Sequence, residues 1–156
     1  MQELAVEKRK VPVTVRCEDC EEMKGELFLS LFSKNHSGQE TALEFMNNPE
    51  RFFVIRIQAE PPVRMMNKDR IVEIEISAEA ELGGHELPEM GAKEEPMAVH
   101  FNNRHSLDGN AYVELPPTKS RLIDFLNQEE KFFLLRTEQT VHIINRRQIS
   151  FVTPRR

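Results

Sequence analysis

Two cysteines three positions apart, Cys17 and Cys20, have the spacing that most directly suggests chemistry. Paired thiolates can supply half of a structural zinc site, which takes four ligands and is completed by a second pair or by histidines. The five histidines, His36, His85, His100, His105 and His142, show no ligand spacing relative to that pair. A redox pair needs a thioredoxin-like βαβ context, and none surrounds residue 17. Two cysteines so close together are also too few for a disulfide framework. Plain turn cysteines are the expectation, with a metal at Cys17 and Cys20 as a minor alternative and no cofactor.

Other residue types narrow the chemistry further. His100 and His105 lie near Asp108, a spacing compatible with acid–base work, yet no serine or cysteine nucleophile in a recognised turn accompanies them. Paired rings at Phe52–Phe53 and Phe132–Phe133 could stack bases. Strand alternation points neighbouring side chains to opposite faces, so at most one ring of each pair can be exposed; core packing is the simpler reading, with the second ring of each pair between units. The polar corners Asn67 with Lys68, and Asn145 with Arg146 and Arg147, could meet phosphates or a partner. Asn47 and Asn127 each follow an apolar helical turn, which suits a left-handed helix cap. No glycine-rich phosphate loop, zinc-protease motif or paired-carboxylate signature is present.

The elements that would position these residues come from an internal repeat. Residues 42–57 align without a gap on residues 122–137, with Phe45, Asn47, Glu50, Phe52, Phe53 and Arg56 recurring as Phe125, Asn127, Glu130, Phe132, Phe133 and Arg136. Residues 65–71 match 143–149, 25–29 match 109–113, and 11–15 match 97–101. A unit of about 60 residues is small for an independent domain, so two copies are expected to lean on each other.

Each unit begins with an alternating run, at Val11, Val13 and Val15 or at Val99 and Phe101, that predicts a half-buried strand. A second strand follows Gly25 or Gly109, glycines expected to take a turn's positive φ. A short helix over 41–47 or 120–127 comes next, with Ser120 as an N-cap. Apolar runs at 52–57 and 132–135 predict a strand buried on both faces at the centre of each core. The last two strands, 63–66 with 71–76 and 141–144 with 149–152, are expected to form tight hairpins at the Asn corners. Ile149, Ser150 and Phe151 run in the opposite phase to Val72, Glu73 and Ile74, which calls for a bulge or a covered face.

Composition fits a folded, water-compatible chain: 156 residues, 39% hydrophobic and 30% charged, with net charge −5. No apolar run reaches the roughly 20 residues needed to span a bilayer, and the N-terminus lacks a basic, then apolar, leader; the expected address is cytoplasmic, away from membranes. The balance is −3 over residues 1–77, −5 over 78–96 and +3 over 97–156. Residues 78–96, rich in Glu, Gly and Pro, therefore read as an acidic linker between a first repeat (1–77) and a second (97–156).

The first-strand runs, Gly25 and Gly109, and the corners at 65–71 and 143–149 together resemble the Sm-like small β-barrel. That resemblance implies a mainly β fold of two tandem five-stranded barrel-like units, and by position it implicates Asn67, Lys68, Asn145 and Arg146 in RNA contact. The family's Asp/Asn loop before the third strand is replaced here by the repeated short helix, and its Arg-Gly corner by Asn-Lys and Asn-Arg. The repeat is also similar to an uncharacterised bacterial family with no assigned activity. The reading that follows is a non-enzymatic binding or scaffold protein that engages protein partners or self-associates by edge-strand pairing. The alternatives are RNA binding through Lys68, Arg146 and Arg147, and a metal site or enzyme built around Cys17 and Cys20.

Overall fold

The computed structural model describes residues 8–20, 22–34, 38–82, 93–113 and 121–155. Ten strands dominate: β1 (Lys8–Cys17), β2 (Met23–Ser30), β3 (Phe52–Ile57), β4 (Val63–Asn67), β5 (Ile71–Ser77), β6 (Lys93–Phe101), β7 (Ser106–Val113), β8 (Phe132–Arg136), β9 (Thr140–Asn145) and β10 (Ile149–Pro154). Three short helices accompany them: α1 (Ala42–Asn47), α2 (Ala78–Leu82) and α3 (Leu122–Leu126). The strands form one unclosed antiparallel sheet in the order β10-β6-β7-β8-β9-β5-β1-β2-β3-β4. Among the described residues its two free edges are β10 and β4.

That order is one pattern written twice. Within each half the fifth strand lies beside the first, followed by the second, third and fourth, and the two halves meet where β5 pairs with β9. The expected hairpins at 65–71 and 143–149 are therefore corrected, because β4 does not pair with β5 and β9 does not pair with β10. At the corner, Asn67 keeps an extended backbone (φ −82°) and its side chain accepts the Asp69 N–H, which starts a 3₁₀ turn over Lys68–Arg70. Asn145 does the same for Arg147. The turn redirects the chain away from the strand it has just left.

The phase conflict is resolved by a bulge present in both copies. Arg16 lies opposite Glu73 and Cys17 opposite Ile71, which leaves Val72 as the extra residue; Phe101 lies opposite Ile149 and His100 opposite Phe151, which leaves Ser150. The glycines also differ from expectation. Gly25 sits inside β2 opposite Val13 and Ile57, and Gly109 inside β7 opposite Met97. A Cβ on Gly25 would lie 2.5 Å from the Arg56 carbonyl oxygen, so close strand approach, not a turn, requires the glycine.

Two apolar cores result, and they trade residues across the seam. Val13, Val15, Leu27, Leu29, Ile55 and Ile74 fill the first together with Phe132, Val141 and Ile143 from the second half. Val99, Phe101, Ala111, Phe125 and Phe133 fill the second with Val72 from the first half. The double-phenylalanine strands behave unequally: β8 buries both rings, whereas β3 buries Phe53, Ile55 and Ile57 and exposes Phe52, Val54 and Arg56. The ring between the halves is Phe132, the first of its pair, because Phe53 and Phe133 pack edge-on against Phe45 and Phe125 in their own cores.

The stretch expected to be linker is structured at both ends. Ala78–Leu82 is helical and β6 already begins at Lys93; His85 and the rest of 83–92 lie outside the described residues, as do Ser120, His36 and residues 114–115. Helix α2 is held because Glu81 turns inward and accepts the Ala42 and Leu43 N–H groups at 2.7 and 2.9 Å, joining the box in which Thr41 and Glu44 cap α1. Burial pushes the Glu81 carboxyl up to about 7 against the pull of those two amides. A folded-state pKa above the unfolded value of 4.5 gives stability that is complete at low pH and lost as pH rises through 7. Between pH 8 and 5.5 this group is expected to add about 2 kcal/mol of stability. Urea denaturation of the native chain against Glu81→Gln should show that difference, with the Gln chain lacking it.

Candidate functional site

Two of the three corner cations singled out for phosphate contact, Lys68 and Arg146, turn inward. Lys68 is buried, and its ammonium donates to the Phe45 carbonyl (3.1 Å), the Asn48 carbonyl (3.2 Å) and Asn48 Oδ1 (2.7 Å), closing the C-terminal end of α1. Burial pushes it down to about 8, still charged at neutral pH. Arg146 does the same work in the second half, donating to the Phe125 carbonyl at 3.0 Å and the Glu130 carbonyl at 2.7 Å while lying over the Phe125 and Phe133 rings. A cation there satisfies carbonyls that a two-turn helix leaves open. Lys68→Met is expected to cost about 2 kcal/mol by orphaning three acceptors, and Lys68→Arg less, because arginine fills the equivalent position. Chemical denaturation of both variants tests the ordering.

The asparagines are equally structural. Asn145 is fully buried and its Nδ2 donates to the Lys68 and Ile71 carbonyls of the other half at 3.3 and 2.9 Å. Asn47 does not take a left-handed cap. It lies within α1 and exchanges two hydrogen bonds with the backbone of Phe132, at 3.0 and 2.9 Å, in the manner of an added strand residue. Asn127 is the helix cap of α3 but with φ −90°. Of the five corner residues, Arg147 alone is exposed, and Asn67 is half-buried.

Among the described residues the remaining candidates do not assemble into a reactive centre. Cys17 and Cys20 are joined as a disulfide, and in that form neither offers a thiolate. His100 stacks on Phe151 at 4.2 Å, His105 is exposed, and Asp108 pairs with Arg155 at 3.3 Å, so the three are dispersed among separate contacts. Sequence reasoning missed a buried titratable cluster at the seam: His142 Nδ1 lies 2.6 Å from Glu73 Oε2, and Glu75 is close by. Arg16 binds Glu73 and Glu75 there and Glu22 beyond. Its guanidinium already occupies the carboxylate faces a cation would need, so the group acts as an ionic lock between β1, β5 and β9. No local motif announces it, because the partners are 57 and 69 residues apart.

A cleft of about 920 Å³ runs along the seam beside α1, with Leu43, Leu82, Tyr112 and Leu134 in its walls. Its polar groups Asn47, Glu81 and Arg146 are committed to backbone partners. The cleft also carries the exposed charges of Lys34, Glu50 and Glu130, whereas exposed large apolar side chains gather elsewhere: Phe52, Val54, Val63 and Met65 form the outer face of β3 and β4, and Phe151 lies on β10, at the other end of the sheet. Two unpaired edges carrying exposed apolar side chains are suited to strand addition. No family model, no curated protein and no solved structure matches the chain.

Proposed function

We propose that the chain is a non-enzymatic scaffold of two Sm-like barrel-type units that binds protein through its open β3–β4 face. The observation that carries this reading is the set of exposed apolar residues at 52, 54, 63 and 65 on a strand pair that ends the sheet. Soluble chains rarely leave such a group uncovered without a partner. The barrel-type units are supported by the same five-strand order, the same bulge and the same corner in both halves. The disulfide and the dispersed histidines favour binding over catalysis.

A photo-crosslinking residue at position 65 of the full chain, activated in native cells, tests the reading. Protein adducts specific to that position are expected. Their absence, with adducts equally frequent from a control position such as 110, would remove it. RNA binding is the second reading, and Arg147 is the corner residue left to support it. RNA affinity that survives Arg147→Glu and is flat in salt would not be the phosphate contact that reading requires.

A further inference from the structure

The disulfide belongs to the first half alone. Cys17 ends β1 and Cys20 lies in the turn to β2. In the second half the Asn102 N–H donates to the Gln148 carbonyl at 2.9 Å as the Glu18 N–H donates to the Arg70 carbonyl at 3.0 Å, so Phe101 and Arg104 stand where Cys17 and Cys20 do. That turn closes without sulfur. The Arg104 N–H donates to the Phe101 carbonyl at 3.0 Å, the Phe101 N–H donates to the His105 carbonyl at 2.8 Å, and Arg104 takes a left-handed φ of 72°. The shared fold therefore does not require the bridge, and its chemistry is free for another task.

The two sulfurs have unequal surroundings. Cys17 is 8% exposed and packs in the first core, whereas Cys20 is half-buried and lines an open cleft of about 530 Å³. Met23 and Ile57 give that cleft an apolar wall, and Lys24 from β2 and Arg64 from β4 bring two cations to it. Glu22, the carboxylate in its lining, is held by Arg16 at 2.9 Å, and Glu18 is drawn away to Arg70 at 2.7 Å. Among the described residues neither Lys24 nor Arg64 has a carboxylate partner, and Arg64 donates to the Met23 sulfur at 3.6 Å.

We propose that Cys20 is a thiol–disulfide exchange site for a small thiol that carries carboxylate groups, a property independent of the protein-binding reading. The incoming thiolate attacks Cys20 Sγ from the cleft, and a new S–S bond to Cys20 forms as the Cys17–Cys20 bond breaks. Cys17 leaves as a thiolate and takes up the proton that the incoming thiol has lost. A second molecule of the same thiol attacks the sulfur of the first and expels Cys20, which is protonated in turn. One small disulfide and a chain with two thiols result, so two electrons pass from the thiol pair to the protein. Attack at Cys17 is blocked by the core packed around it, since exchange depends on access to the sulfur. Lys24 and Arg64 draw a carboxylate-bearing thiol into the cleft and repel a cationic one.

Reduction of the full native chain by 3-mercaptopropionate and by cysteamine tests the inference, each rate being divided by that of the same reagent with neutral 2-hydroxyethyl disulfide. The corrected rate is expected to be about tenfold higher for the anionic thiol at low salt, to converge on that of cysteamine as salt rises, and to reverse in order in the Lys24→Glu/Arg64→Glu chain. Far-UV circular dichroism of the native chain is expected to be unchanged by reduction, as the turn of the second half implies. The single-cysteine chains supply a second measurement. With 3,3′-dithiodipropionate, the Cys20 thiol of Cys17→Ala is expected to be modified at least about ten times faster than the Cys17 thiol of Cys20→Ala. Equal corrected rates for the two reagents, loss of structure on reduction, or a Cys17 thiol that reacts as fast as that of Cys20 would each overturn the proposal.

Discussion

Asn145→Leu is expected to destabilise the folded chain by about 4 kcal/mol, because it strips the Lys68 and Ile71 carbonyls and the Arg147 N–H of their buried partners without opening a path for water. Leucine fills the same volume, so the loss reads hydrogen bonding, not packing. The repeat supplies an internal control. Asn67 performs the same local task, accepting the Asp69 N–H, but is half-buried on an open edge. Asn67→Leu is therefore expected to cost about 1 kcal/mol, the ordinary value of a lost cap. Urea denaturation midpoints of the two variants measure the contrast, and equal losses would mean that the seam contributes nothing special.

Gly25→Ala should be nearly as damaging, at about 3 kcal/mol, although alanine is usually a mild replacement for glycine in a strand. The new methyl would meet the Arg56 carbonyl oxygen at 2.5 Å and the Ile55 and Ile57 side chains at 3.0 Å, and backbone cannot step aside as a side-chain tip can. Gly109→Ala meets the Arg136 carbonyl oxygen at 2.8 Å and Leu135 Cγ at 2.8 Å. Losses of similar size at both positions, measured by chemical denaturation, are expected of two copies of one unit. A neutral result at either would show that the strands there separate more easily than their register implies.

The repeat made most of this architecture legible. Alternation at Val11, Val13 and Val15 and the phenylalanine runs located strands correctly, since the pattern of burial is local to each strand. Pairing was another matter. Asn67 and Asn145 look like hairpin corners to any reading based on turn residues, whereas their side chains start 3₁₀ turns that carry the chain to a distant strand. The unequal burial of Phe52 and Phe132 was illegible because identical residues in closely similar local context differ chiefly in their neighbour across the sheet. Lys68 and Arg146 read as surface cations for the same reason: a long basic side chain beside a helix end can reach solvent or the helix carbonyls, and only the fold decides. The ionic lock of Arg16, Glu73 and His142 has no signature in sequence at all.

Everything rests on the β5–β9 seam fusing the halves into one cooperative body. Differential scanning calorimetry of the full chain at low concentration tests this most directly. One transition whose calorimetric and van 't Hoff enthalpies agree is the predicted result. Two separable transitions, one for residues before the 83–92 segment and one for those after it, would contradict it.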